Sequence, residues 1–368
     1  MLKKLISLII IGVMLFNIAA CSNTEEKAPS TFETSSTETP NAETPSKGTE
    51  GDGGIVSSKD ILIVGVPMDP ANLDPNDKSV QMVQTVKKPM YETLFAKNND
   101  TGEIEPNLAE SWKYEDDKTV TINLRKGVKF HNGDEMKASD VIFSLNRASE
   151  VSTSAPAVTM IDFDKLEAID DYTVKLVTKD IYVPQLAYLE WPLCAIYSQR
   201  QFEETNGDFS KGGFGTGAFK LKTYVSGDRV EYEANEDYWG EGPYIKNLVM
   251  RIIPDAASRT MELETGGVDL IYDVLSTDLK RLDENPDTTV YKDLSLNTNY
   301  LFMRTDHKPF NDIRVRQAIA YAIDRDTAVQ TAYGGAGVTA IGFCSPNVVD
   351  FNEDVVPYEN DIEKAKQL

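Results

Sequence analysis

Residues Gly213 to Gly240 read GFGTGAFKLKTYVSGDRVEYEANEDYWG, and this stretch decides the fold. Apolar and polar residues alternate in two runs, which predicts the two strands of a β-hairpin. Ser226-Gly227-Asp228 lies between the runs and predicts the turn that joins them. A glycine-rich segment leads into the hairpin, and Tyr238-Trp239-Gly240 closes the stretch.

The same glycines allow a second interpretation, because Gly213-x-Gly215-x-x-Ala218 has the spacing of a dinucleotide fingerprint. A loop that holds phosphate must follow a strand and open a helix, whose N-terminus supplies N–H groups and the positive end of a dipole. Here turn-forming residues 206–212 precede the glycines, and a predicted strand follows them. The stretch therefore predicts a turn that leads into a hairpin rather than a nucleotide site.

The N-terminus has the order of a secretion signal. Lys3 and Lys4 precede an apolar run from Leu5 to Phe16. This run is shorter than the roughly 20 residues that a membrane-spanning helix needs. We therefore predict a signal peptide at residues 1–20, with an uncleaved membrane anchor as the alternative. Residues 21–58 are rich in Ser, Thr, Glu and Pro, which predicts a disordered spacer.

Composition limits the partners and cofactors. The 37 Lys and Arg residues stand against 59 Asp and Glu, and the net charge is −22. Such an acidic chain is not expected to bind nucleic acid or anionic membrane surfaces, and it favours cationic ligands. Cys194 and Cys344 could pair in an oxidising compartment, but they lie in different predicted domains, so we expect buried free thiols. The sequence has no CxxC pair and no Cys/His cluster, and we predict no metal site and no cofactor.

Local patterns predict alternating strands and helices along the rest of the chain. Ile61 and Ile63 mark a first strand, and three prolines make residues 67–75 irregular. A helical pattern then runs from Val83 to Leu94.

Further along, strands at residues 120–124 and 172–176 flank a helix that Ser139 is predicted to cap. Asp255 and Asp312 are predicted to precede two more helices. The second of these carries an apolar stripe at helical spacing, formed by Val315, Ala318, Ile319, Ala322 and Ile323.

Catalysis finds little support among the residues. The two histidines, His131 and His307, lie in turn-like segments with no Ser or Cys partner. The carboxylate pairs at residues 116–117 and 170–171 lie in tight turns, where adjacent side chains do not converge on a substrate. We expect solvated or structural roles for all of them, and we do not expect an enzyme.

Several blocks occur in a fixed order along the chain. They are NLAESW (Asn107–Trp112), LRKGVKFHNG (Leu124–Gly133), ASDV (Ala138–Val141), the GTGAFK…DYWG stretch, and PFND (Pro309–Asp312) with the helix that follows. In these blocks the chain resembles the extracytoplasmic solute-binding proteins of family 5. That family serves peptide and nickel ABC importers and includes the oligopeptide- and dipeptide-binding proteins. The sequence Ile18-Ala19-Ala20-Cys21 also resembles a bacterial lipobox, which implies cleavage before Cys21 and lipid attachment to that residue.

The resemblance implies an α/β fold of two lobes, the type II periplasmic-binding-protein fold of the peptide-binding cluster, with an extra small α/β domain. Lobe I is expected at residues 59–96 and 181–295, domain II at 97–180, and the start of lobe III at 296–368. Family members usually continue well beyond residue 368, so we expect an incomplete lobe III and a fragment of a longer protein.

The resemblance also implies ligand-binding residues. The segment after the first strand would line the cleft and offer backbone groups to an extended ligand, at Met68, Asp69, Pro70, Ala71 and Asn72. Pro70 departs from this role, because it has no N–H group. An ordinary strand-to-helix connection is the alternative. Asn299 and Tyr300 would lie in the cleft or at a hinge, or would be plain strand residues. The aspartate with which relatives bind a peptide amino terminus is expected beyond Leu368.

These expectations describe a lipid-anchored monomer outside the cytoplasmic membrane. It would capture oligo- or dipeptides and deliver them to an ABC permease and its ATPase. A binding protein for nickel complexes or oligosaccharides, a receptor for peptide signals, and a secreted lipoprotein hydrolase are the alternatives. With most of lobe III missing, the chain is expected to bind peptide weakly or not at all and to expose apolar surface.

Overall fold

The strand predicted at Ile61 and Ile63 forms and belongs to the first sheet of the protein. A computed structural model describes residues 59–77, 80–98, 101–334, 336–348 and 351–368. The predicted signal peptide, Cys21 and the spacer lie outside the described residues. The strands are β1 (Ile61–Val66), β2 (Phe95–Lys97), β3 (Ile104–Pro106), β4 (Ala109–Tyr114), β5 (Thr119–Leu124), β6 (Glu167–Asp170), β7 (Thr173–Val177), β8 (Phe219–Val225), β9 (Arg229–Ala234), β10 (Asn247–Ile252) and β11 (Leu270–Ile271).

Helices connect these strands and make up most of the regular structure after β11. They are α1 (Gln81–Lys87), α2 (Ala138–Glu150), α3 (Ala155–Val158), α4 (Gln185–Tyr188), α5 (Gln199–Thr205), α6 (Ala256–Glu264), α7 (Ser276–Asp283), α8 (Ile313–Ala322), α9 (Arg325–Tyr333) and α10 (Ile362–Gln367). None of the described helices is both long enough and apolar enough to cross a membrane.

The five-stranded sheet has the order β11-β1-β10-β9-β8. Strand β1 runs parallel to both of its neighbours, with Ile61 opposite Asn247 on β10. Strands β8 and β9 form the predicted antiparallel hairpin, so that prediction is confirmed. Val230 and Tyr232 on β9 are fully buried, which places the hairpin's inner face in the core.

A separate four-stranded antiparallel sheet has the order β4-β5-β7-β6. Alternate residues of β5 and β7 are buried under α2, including Ile122 and Val174, while the other face is solvated. This confirms the two predicted strands. One apolar core lies within residues 94–196, and a second lies within 64–91 and 195–252. The predicted domain boundaries stay a prediction.

Two details of the predicted helices are wrong. Helix α1 ends at Lys87 rather than near Leu94, because Pro89 has no N–H group to continue the ladder. Helix α2 begins at Ala138, before Ser139, and the Asp140 carboxylate accepts the Lys137 N–H at 2.9 Å. A carboxylate in the first turn therefore satisfies this helix start.

The other predicted helix starts are confirmed. Asp255 accepts the Ser258 N–H at 2.8 Å, and Asp312 accepts the Arg314 N–H at 2.9 Å. In the apolar stripe of α8, Val315, Ala318 and Ile319 are half-buried and Ala322 is exposed. Its last predicted member, Ile323, is exposed and lies outside the helix. Large apolar side chains are widely exposed in this part of the chain, among them Tyr291, Leu301, Phe302, Phe343 and Val356.

The glycines of the opening stretch allow two backbones to touch. A Cβ atom on Gly215 would lie 1.8 Å from the Met90 carbonyl oxygen, and one on Gly217 would lie 2.4 Å from that of Pro89. The Gly217 N–H donates to the Met90 carbonyl at 3.0 Å, and the Phe219 N–H donates to the Pro89 carbonyl at 3.1 Å. Gly215 and Gly217 therefore let this backbone pass close to the segment that follows α1, which a residue with a Cβ atom would prevent.

Both ends of the stretch meet one half-buried carboxylate, that of Glu92. Glu92 accepts hydrogen bonds from Thr216 Oγ1 at 2.7 Å, Tyr238 Oη at 2.9 Å and Trp239 Nε1 at 2.9 Å. Burial raises the pKa of Glu92, and these hydrogen bonds act in the opposite direction. The aromatic terminus of the stretch is therefore held against the same segment that its glycines contact.

A methyl group at Gly215 tests the role of this backbone contact. We expect Gly215→Ala to lower the free energy of unfolding by about 3 kcal/mol or more, because a Cβ atom would overlap the Met90 carbonyl. Gly337→Ala is the control, since its Cβ would meet only Val329 Cγ1 at 3.7 Å. Denaturant unfolding of both variants gives the comparison, and equal losses would contradict this role.

Candidate functional site

The β1–α1 loop, residues 67–77, contains the predicted ligand-binding segment. It leaves the carboxyl end of β1, which lies between the parallel strands β10 and β11. Crevices at the carboxyl ends of parallel strands are where open α/β sheets bind ligands. As the sequence predicts, no helix or strand forms in residues 67–75.

Asp69 is the most heavily bonded residue of the β1–α1 loop. Its Oδ1 accepts from the Ala71 N–H and from Tyr224 Oη, each at 2.6 Å. Its Oδ2 accepts from Ser226 Oγ at 3.1 Å and from the Gly227 N–H. Burial acts to raise the pKa of Asp69, but these hydrogen bonds outweigh it and lower the pKa. The carboxylate is thus ionised and fully engaged by its own chain.

The neighbouring side chains divide into engaged and exposed groups. Asn72 Oδ1 accepts the Asp74 N–H at 3.1 Å, and Asn72 Nδ2 donates to Asp77 Oδ2 at 2.6 Å. Pro70 is buried, whereas Met68 is 43% exposed. Ala71 is exposed and adopts a left-handed conformation with φ of 63°.

The backbone of the β1–α1 loop retains free donors. Within the part of the chain that the structure describes, the N–H groups of Met68, Asp69 and Asn72 find no protein acceptor. The segment can therefore donate hydrogen bonds to carbonyl or carboxylate oxygens of a ligand. This accords with the backbone role expected of residues 68–72, which stays a prediction.

A second anchor of the β1–α1 loop was not found by sequence reasoning. Arg147 on α2 donates to both oxygens of Asp74, at 2.9 and 2.5 Å, and to Asn76 Oδ1 at 2.6 Å. The guanidinium lies 5.0 Å from the Phe202 ring and 5.2 Å from that of Phe209. Burial opposes the charge of Arg147, but its bond to Asp74 raises the pKa. No local signal could have found a pair separated by 73 positions.

The structure places Asn299 and Tyr300 in a different environment. Asn299 Nδ2 donates to Tyr333 Oη at 2.7 Å. Tyr300 is 56% exposed, and its ring centroid lies 5.7 Å from Phe302 and 5.3 Å from Phe343. Neither residue lies in a strand, so the plain-strand alternative is wrong. Among the described residues, no hydrogen bond or ring contact joins this pair to the β1–α1 loop.

The histidines and cysteines have structural settings. His131 Nε2 lies 2.8 Å from the Gly217 carbonyl, to which the neutral ring donates. His307 is exposed beside Asp306. Cys194 is a buried free thiol, and burial raises its pKa to about 12. Cys344 is free but only half-buried, which corrects the expectation that both thiols are buried. No group of three His, Cys, Asp or Glu in the described ranges could hold a metal ion.

Comparison with known proteins identifies the family. Residues 103–368 match the family described as "Bacterial extracellular solute-binding proteins, family 5 Middle". The chain belongs to this family. Its members are solute-binding proteins of ABC transporters rather than enzymes, and its neighbours of known structure have the type II periplasmic-binding fold. The resemblance and the fold class expected from the sequence are confirmed.

Two curated relatives show the range of names in the family. The "Dipeptide-binding protein" of Escherichia coli is 33% identical over 304 residues, which cover 76% of this chain and 57% of the relative. "Heme-binding protein A" of Haemophilus influenzae is 32% identical over 307 residues, covering 76% and 55%. The chain thus spans little more than half the length of these relatives.

Solved structures give the same picture. The periplasmic binding protein DppA from Helicobacter pylori, in complex with the peptide STSA, has a TM-score of 0.73 at 29% identity. The match covers 83% of this chain and 65% of that one. NikA from Brucella suis, in complex with Fe(III)-EDTA, has a TM-score of 0.71 at 28% identity, covering 83% and 63%.

His131 gives a pH prediction. Burial lowers the pKa of His131 to about 4, below the unfolded value of 6.5. As the pH falls through this window, the unfolded chain binds a proton that the folded chain does not. The free energy of unfolding should therefore drop by ~3 kcal/mol between pH 6.5 and pH 4 through this residue alone.

His131→Gln keeps a donor for the Gly217 carbonyl and removes the titration. We expect the difference in unfolding free energy between wild type and this variant to change across pH 4–6.5. His307→Gln, which removes the exposed histidine, should follow the wild type. The assignment would be wrong if the difference for His131→Gln stayed constant in denaturant unfolding at both ends of the window.

Proposed function

We propose that the protein is the solute receptor of an ABC importer and that it captures peptides outside the cytoplasmic membrane. The observation that carries the proposal is the row of free N–H groups in the β1–α1 loop, at the carboxyl end of a parallel strand. Main-chain carbonyl groups of an extended peptide are natural acceptors for such donors. The names of the Escherichia coli and Helicobacter pylori relatives, one dipeptide-binding and one solved with a bound peptide, support it.

The proposed mechanism is closure of two lobes around the ligand. Periplasmic binding proteins close around their ligands by a hinge motion between domains. The closed form is favoured only to the extent that it adds contacts to the ligand. The closed complex then delivers the peptide to the permease and its ATPase, and the receptor acts as a monomer.

Co-purification tests the ligand class. In native mass spectrometry of the protein isolated from its natural host, we expect masses of bound oligo- or dipeptides that denaturation releases. Calorimetry of the stripped protein should then show binding of the same peptides. Nickel complexes, heme or oligosaccharides in place of peptides would contradict the peptide assignment, and turnover of the peptides would favour a hydrolase.

Transport and sensing are distinguished by a second measurement on the same host. Deleting the receptor should abolish uptake of a labelled peptide that it binds. Normal uptake together with loss of a transcriptional response to that peptide would favour the receptor for peptide signals.

We propose further that a lipid on Cys21 anchors the protein, after cleavage of residues 1–20, and that residues 21–58 form the tether. Mass spectrometry of the N-terminal peptide should show a chain that begins at Cys21 and carries acyl groups. Cys21→Ala should lose these groups, whereas Cys344→Ala should keep them. An N-terminus at Met1 in the mature wild type would instead indicate the uncleaved anchor.

A further inference from the structure

The carboxylate of Asp69 has no capacity left for a ligand. A carboxylate offers about four lone-pair positions, and four donors from its own chain occupy those of Asp69. A ligand's amino group could reach it only by displacing one of these donors. The side chain therefore has a role within the protein, although it lies in the middle of the predicted ligand-binding segment.

Three of the four donors come from one distant place. Tyr224, Ser226 and Gly227 lie at the tip of the β8–β9 hairpin, more than 150 positions away in the sequence. Strands β10 and β9 separate β1 from β8 in the sheet order. The bonds of Asp69 thus reach across the end of the sheet and tie the β1–α1 loop to the hairpin tip.

The fourth donor shapes the backbone itself. The Ala71 N–H bonds to Oδ1 of Asp69 two residues before it, and Ala71 takes the left-handed conformation that a residue with a Cβ atom rarely adopts. This turn sets the directions of the free N–H groups of Met68, Asp69 and Asn72. Without the bond, the left-handed conformation would lose a partner that stabilises it.

We propose that Asp69 is a positioning residue, which holds the β1–α1 loop on the hairpin tip so that its free N–H groups face the oxygens of an extended peptide. The proposal rests on the proposed peptide-binding function and assigns a purpose to the turn Ser226-Gly227-Asp228. The hairpin then serves the site as well as the sheet.

Asp69→Asn is the main test, made in the full chain. The amide keeps the size of the side chain, but in either of its two orientations the NH₂ group would face a backbone N–H, that of Gly227 or that of Ala71, and cannot accept from it. We expect about tenfold weaker peptide binding in calorimetry and about tenfold faster exchange of the Ala71 and Gly227 N–H groups, with a small fall in the unfolding midpoint. Tyr224→Phe removes one donor and should give a smaller loss of the same kind.

Asp228→Asn is the matched control. It makes the same change of charge, within the hairpin turn that Asp69 contacts. The Asp228 carboxylate, however, meets the Arg229 guanidinium rather than the β1–α1 loop. Affinity and exchange should equal those of the wild type. A wild-type protein isolated from its natural host that binds no peptide would refute the proposed function. If the wild type binds peptide and Asp69→Asn binds it with equal affinity, the positioning role is refuted. The role is also refuted if Asp69→Asn binds more weakly while its amide exchange is unchanged and Tyr224→Phe keeps the wild-type affinity.

Discussion

The half-buried carboxylate of Glu92 is the interaction that joins the family-identifying stretch to the segment after α1. Removing a carboxylate from water costs several kcal/mol unless donors replace the lost solvent. Here Thr216, Tyr238 and Trp239 supply the donors. They come from the beginning and the end of the stretch that identifies the family. The order of residues in that stretch is thus the order needed to surround one acceptor.

The β8–β9 hairpin is fixed at both of its ends. At its base, Gly215 and Gly217 let the backbone touch Pro89 and Met90, next to Glu92. At its tip, the turn meets Asp69. Closely packed elements transmit strain rather than deform continuously. A hairpin held in this way is a rigid support for a loop that would otherwise have only its own short-range turns.

Local structure was predictable because its signals are local. The alternation of β8 and β9, the turn between them, and the caps at Asp255 and Asp312 all lie within a few residues of the elements that they define. The errors at Lys87 and Ser139 are of the same scale, since a proline and a carboxylate one or two positions away decided the boundary.

The candidate site was predictable only through resemblance. Sequence reasoning placed residues 68–72 there, but gave no role to Arg147 or to the hairpin tip, because their partners in the β1–α1 loop lie from 71 to 158 positions away. Such contacts exist only after the sheet has formed. The environment of Asn299 and Tyr300 was missed for the same reason, since Tyr333 and Phe343 come from later segments of the chain.

The polar side chains of the β1–α1 loop bond within the protein, and this limits how the loop can select a ligand. Asp69 and Asn72 bond to their own chain, so the loop presents backbone N–H groups and the exposed Met68. A backbone N–H group donates to any carbonyl oxygen and does not distinguish one peptide sequence from another. In the proposed receptor, selectivity therefore has to come from side chains outside the β1–α1 loop. This agrees with a family whose members, at about 30% identity, carry names as different as dipeptide-binding and heme-binding on one fold.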